Sequence, residues 1–182
     1  MAVTSITSFF ASLVFTVMLG FALSSNYWIG FVFDGKSYHS GLWNACEKKQ
    51  KCLEYAKWKS EEMSPVWLKQ VRVLYVIGCI SSVICILISM LRLFNNKIKT
   101  YTSAIFYFIT AALVGGACWL YARRNGYYNE HALEEIEYKW GFILACTSAC
   151  FALVLSIFSF VSYLATCRKS EDDVNYGFVS HV

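Results

Sequence analysis

Four long stretches of the chain carry no charged side chain. The first covers everything before Asp34; the others are Val73–Leu91 (19 residues), Thr100–Ala122 (23 residues) and Trp140–Cys167 (28 residues). At about 1.5 Å rise per residue even the shortest of these three reaches about 28 Å, against a bilayer core of about 30 Å. Inside hydrocarbon every backbone polar group needs an internal partner, so separate segments cross only as helices. Core helices of a soluble protein would each show one polar face, and these blocks do not. The pattern predicts one domain over residues 1–182. Its spans lie at about 6–25, 73–91, 100–122 and 140–167, its outer loops at 26–72 and 123–139, and its tail at 168–182. Ala22 and Ser24 suit a signal-peptide cleavage site, but no Lys or Arg precedes the block and it exceeds a typical h-region. The first block is therefore read as retained, which places both termini on one side.

The loops assign the sides. Arg92, Lys97 and Lys99 in the middle loop and Arg168 and Lys169 after the last span favour the cytoplasm. The first loop carries eight Lys/Arg and counts the other way. Cysteine decides: Cys46 and Cys52, both in the first loop, form the one pair outside the spans, and a disulfide persists outside the cytosol but not within it. The first and third loops are expected outside, with both termini cytoplasmic in the plasma membrane.

The first loop reads as folded. Phe31-Val32-Phe33, then Asp34-Gly35, then Lys36 to Trp43 is a hairpin signal, because Asp and Gly tolerate φ > 0. A second reversal is expected at Glu47–Lys51 and a third strand at Leu53–Trp58, with a Cys46–Cys52 bridge clipping the turn. Of the tryptophans here, Trp28 and Trp67 suit interfacial anchoring; Trp43, at mid-loop, suits it less. Ser64-Pro65 offers a cap and a first helical residue, so the second helix is expected to start above the membrane at Pro65.

Composition narrows the function. Of the 182 residues 57% are hydrophobic and 15% charged, with a net charge of +4 and a single proline. Disorder and collagen are excluded, and a nucleic-acid binder would need a denser basic stripe. No uncharged block holds the ionisable residue that pumps and proton-coupled carriers use. His39, His131 and His181 lie apart, and no phosphate loop or nucleophile elbow is present. No catalytic residue, metal or cofactor is expected. Glu134, Glu135 and Glu137 read as a solvated acidic face. Ala111, Ala112, Gly115 and Gly116 on the third span, and Ala145, Ala149 and Ala152 on the fourth, read as close packing within the bundle.

Trp28, Gly41-Leu42-Trp43, Cys46 and Cys52, directly after a first span, resemble the W…GLW…C…C signature of the claudin, epithelial membrane protein and peripheral myelin protein superfamily. Leu68-Lys69-Gln70-Val71-Arg72 is similar to the basic motif leading into the second claudin helix. Tyr138-Lys139-Trp140-Gly141-Phe142-Ile143-Leu144-Ala145 resembles the start of the fourth helix in epithelial membrane proteins. Five residues separate the two cysteines, closer to the epithelial membrane protein and lens fibre intrinsic membrane protein branch than to claudins.

The resemblance implies an all-α membrane fold: a left-handed bundle of four transmembrane helices under a small extracellular antiparallel β-sheet, with the third loop contributing to that sheet or to its neighbour contacts. It implies a role in cell–cell junctions, adhesion or membrane organisation, with lateral contacts to itself or other claudin-family proteins. A pore wall built from the first loop would weakly favour anions. The alternative is an auxiliary subunit of an ion channel or receptor. The tail ends Ser180-His181-Val182, which fits a PDZ scaffold protein that takes the peptide as an added strand. Cys167, beside Arg168, is a palmitoylation candidate.

Overall fold

The computed structural model describes residues 2–33, 36–47, 53–54, 66–94, 100–131 and 136–179. Four helices dominate: α1 (Ala2–Ser24), α2 (Val66–Phe94), α3 (Thr100–His131) and α4 (Trp140–Val179). All four are long and apolar enough to cross a bilayer. Each packs on its neighbour in sequence, and α4 closes the ring against α1.

The helices overrun the uncharged stretches. α2 begins at Val66, so Lys69 and Arg72 occupy its first two turns, and its last turn holds Arg92. A helix leaving the hydrocarbon keeps its backbone hydrogen bonds, and charges tolerated at the headgroups need not end it. Pro65 lies outside the described residues.

The core is mainly apolar with small polar side chains among it, and the outer surface is apolar as well. Ser12, Ser82, Thr110 and Ser148 are fully buried, whereas Phe10, Ile80, Phe108, Ile143 and Phe158 are exposed on the bundle's outer surface, where lipid lies. Small polar side chains let helices approach and exchange hydrogen bonds across the seams. Thr110 Oγ1 donates to Ser81 Oγ at 2.9 Å, and Ser156 Oγ donates to the Ala104 carbonyl at 2.9 Å. Ser12 bonds both Ser89 and the Tyr107 hydroxyl, joining α1, α2 and α3. Of the small residues, Ala145 and Ala152 are fully buried, whereas Ala112 is exposed and Gly116 faces open space. A Cβ on Gly115 would sit 3.9 Å from that of Ala149.

Five short strands stand at one end: β1 (Ile29–Phe33), β2 (Lys36–Ser40), β3 (Asn44–Glu47), β4 (Leu53–Glu54) and β5 (Ile136–Tyr138). The sheet is antiparallel in the order β4-β3-β2-β1-β5. The β1–β2 ladder runs from Ile29↔Ser40 to Phe33↔Lys36, where the sequence predicts a hairpin. Asp34 and Gly35 themselves lie outside the described residues. The third loop joins the sheet through β5, which pairs with β1 from Ile29↔Tyr138 to Phe31↔Ile136. The expected run from Lys36 to Trp43 is a strand only to Ser40; Gly41 to Trp43 form a turn, and β3 follows from Asn44. It breaks after Ser40, where Gly41 N–H turns back to the Asn44 carbonyl at 2.9 Å. The expected third strand is described at Leu53 and Glu54 only.

Candidate functional site

The signature residues converge where the sheet meets the bundle. The last four carbonyls of any helix lack partners within it. At the end of α1 side chains supply donors: the Trp28 indole N–H to the Ala22 carbonyl at 2.7 Å, and the Trp43 indole N–H to the Leu23 carbonyl at 3.0 Å. Ser24 Oγ donates to the Phe21 carbonyl at 3.2 Å. One turn back, the Tyr75 hydroxyl of α2 reaches the Leu19 carbonyl at 3.4 Å. Two tryptophans 15 positions apart in sequence thus close the same helix end.

Interfacial anchoring fails for Trp28. It is 0% exposed and meets Tyr75, Tyr121 and Phe142 edge to face, with ring centroids 5.5, 5.1 and 5.9 Å away. Trp67, half-buried, stands edge-on to Tyr121 at 5.8 Å. An indole whose N–H has a carbonyl partner and whose ring fills a gap between helices gains more from the core than from the interface. Leu42 is also fully buried, while Trp43 keeps 40% of its surface exposed.

Arg72 ties the GLW turn to α2. Its Nε donates to the Leu42 carbonyl at 2.6 Å, and its guanidinium lies 5.3 Å from the Trp43 ring centroid. Both contacts favour a charged, planar group. Gly41 is required by space: a Cβ there would fall 2.1 Å from the Ser25 carbonyl oxygen and 2.8 Å from Asn26 Cα. Backbone bonds complete the joint, from Trp28 N–H to the Ser40 carbonyl at 2.8 Å and from Gly141 N–H to the Tyr27 carbonyl at 2.9 Å. The second of these satisfies an early N–H of α4.

The structure therefore brings Trp28, Gly41, Leu42, Trp43 and Arg72 into one joint. Cys46 lies outside it, buried on β3. Cys52, Ser180 and Val182 lie outside the described residues. Cys167 is an exposed free cysteine on α4. Of the expected acidic face only Glu137 is described; it pairs with Lys139, which holds its carboxyl below the usual range.

This arrangement is that of a known membrane family. A family model, described as PMP-22/EMP/MP20/Claudin family, matches residues 1–174. The chain belongs to the PMP-22/EMP/MP20/Claudin family. No individual curated protein matches it significantly. Like the family's other members it is a multi-pass membrane protein, and the bilayer is its first partner.

Sequence reading passed over several members of this site. Tyr75, Tyr121 and Phe142 look like any apolar residue of a span, and only their spacing to Trp28 in three dimensions reveals them. Gly141 and Phe142 stand in the fourth-helix motif, but their roles do not show there: a Cβ on Gly141 would lie 2.8 Å from the Tyr27 carbonyl oxygen. On the sheet, Tyr27 and His39 stack face to face at 4.3 Å. With Ser37, Glu137 and Lys139 they line a groove of about 410 Å³. Burial holds the His39 pKa below its usual value.

Proposed function

We propose that the chain is a plasma-membrane organiser of cell–cell contacts, with no enzymatic activity. Its sheet faces outward and both termini lie in the cytoplasm. The observation that carries this reading is the joint: the sheet is bolted to α1, α2 and α4 through Trp28, Trp43, Arg72 and Gly141. A sheet of short strands has little core of its own, and a rigid base lets it present a surface without folding first on contact. Contacts are expected laterally with the same or related family members, and across cells through the outer loops.

A Cys46–Cys52 disulfide belongs to this reading. It is supported by the antiparallel pairing of Asn44 with Glu54 and Ala45 with Leu53, which brings the two arms of this part of the loop together. Replacing Cys46 by Ala should leave Cys52 open to alkylation and reduce surface delivery. A Cys52 that alkylates in the unreduced wild type would remove the bridge. The Ser180-His181-Val182 end is proposed as a PDZ ligand and Cys167 as a palmitoylation site. A pull-down unchanged by deleting Val182 would refute the first.

The test of function mixes two cell populations, each expressing the protein with a different fluorescent tag inserted internally on the cytoplasmic side. Enrichment only where both neighbours express it is the expected result. Uniform surface signal would overturn adhesion and favour the auxiliary-subunit role, to be pursued through co-purifying channel or receptor subunits.

A further inference from the structure

The groove on the sheet is built around a glycine. Ile29 and Phe31 pack toward the bundle core, so strand alternation turns Gly30 and Val32 to the opposite face. Gly30 sits between His39 of β2 and Glu137 of β5, in direct register with both. β1 is an inner strand, where a glycine forgoes packing and marks a close approach. The stem of Lys139 crosses the notch: a Cβ on Gly30 would lie 2.6 Å from Lys139 Cε. Lys139 also pairs with Glu137. On the other side Tyr27 stacks on His39 at 4.3 Å. The space enclosed, about 410 Å³, falls within the roughly 300–1,000 Å³ of small-ligand sites.

Charge and position define the ligand. The Glu137 and Lys139 charges cancel, and burial lowers the His39 pKa, so His39 is mainly neutral at pH 7. A phosphate or a quaternary ammonium would find no net opposite charge here. An uncharged ring with several hydroxyls and one apolar face matches better. A carboxylate beside an ammonium accepts from one hydroxyl and donates to its neighbour, and both bonds are charge-assisted. The lower end of the groove lies at the membrane surface. Tyr27 follows the end of α1 at Ser24 and stacks at 6.3 Å on Trp140, the exposed first residue of α4. We propose that this groove binds the neutral hexose headgroup of a glycolipid in the same leaflet. The sugar's C–H face lies against the Tyr27–His39 rings and two adjacent hydroxyls meet the Glu137–Lys139 pair, while the acyl chains run down past Trp140. Binding from the outer leaflet rests on the outward-facing sheet proposed above.

The test uses the full chain, purified without glycoside detergents, in phosphatidylcholine nanodiscs carrying glucosylceramide, galactosylceramide and ceramide in equal amounts. Nanodiscs expose both leaflets, so the outcome does not depend on which way the sheet faces in a cell, nor on any adhesion. Native mass spectrometry reads the lipids that stay bound. One or both hexosylceramides should be retained over ceramide and phosphatidylcholine. Glu137→Ala should cut that retention about tenfold or more, the worth of a lost charge-assisted bond. Its melting temperature should hold, because Glu137 is exposed. Gly30→Val, which fills the floor of the groove, should also abolish retention. Ceramide held as well as its hexosides would overturn the proposal, since the chains and not the sugar would then be recognised. So would retention unchanged in Glu137→Ala. Methyl β-glucoside or methyl β-galactoside that binds by saturation-transfer NMR, with no glycolipid retained, would assign the groove to a glycan from elsewhere and overturn the lipid source.

Discussion

Gly41→Ala tests whether the joint is held by space or by sequence habit. The added Cβ would fall 2.1 Å from the Ser25 carbonyl oxygen, 2.8 Å from Asn26 Cα and 3.0 Å from the Ser25 carbonyl carbon. All three are backbone atoms, so no side chain can swing aside. Relief must come from moving the β2–β3 turn away from the end of α1, which strains the Trp43 bond to Leu23 and the Arg72 bond to Leu42. Forced overpacking of this kind costs about 1–3 kcal/mol, and one weakened hydrogen bond adds about 1 kcal/mol. A loss of about 2–4 kcal/mol is therefore expected. Gly116→Ala supplies the control, because no atom lies within 4 Å of a Cβ there. In the α3 interior the same methyl should stabilise by up to about 1 kcal/mol through helix propensity. The assay is thermal unfolding of both variants in one detergent, followed by tryptophan fluorescence, which sums the six tryptophans, Trp28 and Trp43 of the joint among them. At about 2–4 °C per kcal/mol for a chain of this size, Gly41→Ala should melt about 4–16 °C lower and Gly116→Ala no lower than wild type. Equal melting of Gly41→Ala and wild type would refute the steric account of the joint.

Arg72→Met removes a charge-assisted hydrogen bond of about 1.5–3 kcal/mol and a cation–π contact of about 0.5–2 kcal/mol. A double-mutant cycle with Trp43→Leu should give a coupling of at least about 0.5 kcal/mol; additive losses would show that the two do not interact. Tyr107→Phe should cost about 0.6 kcal/mol, the mean for interhelical hydrogen bonds in membranes, and at most about 1.7 kcal/mol; an unchanged melting temperature would remove the Ser12–Tyr107 bond from the account. For His39 the sign is set by burial, which lowers its folded pKa below the unfolded value of about 6.5. Its stabilisation is complete above that value and declines as pH falls toward the folded pKa. His39→Phe, which keeps a ring against Tyr27, should flatten stability between neutral and mildly acidic pH; an unchanged pH profile would show that another group titrates there.

The helices were legible because lipid imposes a severe rule: a span must be long, apolar and internally bonded. The uncharged run from Val73 marks the span and not the helix; the start of α2 is carried by Ser64-Pro65, which predicts Pro65, one residue before Val66. The β1–β2 hairpin was visible through Asp34-Gly35, a local signal. β5 was only glimpsed, because its pairing with β1 spans more than 100 residues and three residues of strand carry almost no pattern of their own. Trp28 shows the deeper difficulty. At the edge of a span, an interface tryptophan and a core tryptophan have the same sequence context. What separates them is whether rings from α2, α3 and α4 converge on the indole, as Tyr75, Tyr121 and Phe142 do.

The family signature therefore acts first on the fold. Trp28 and Leu42 have no exposed surface, Gly41 has no side chain, and Arg72 spends its Nε on a backbone carbonyl. Trp28, Gly41 and Leu42 are buried and touch no partner directly, and Arg72 is half-buried. Their shared task is to end α1 with its carbonyls satisfied and to seat the sheet on the bundle in one orientation. Specificity must then come from residues the joint holds up but does not use: the exposed ring of Tyr138, the free part of Trp43, and the Tyr27–His39 stack beside the Glu137–Lys139 pair. Two relatives can keep the same joint and differ in partner, because changing the groove leaves the carbonyls of α1 untouched. Changing the joint disturbs the entire outer surface, which is why damage at Gly41 or Arg72 should read as lost folding before it reads as lost recognition.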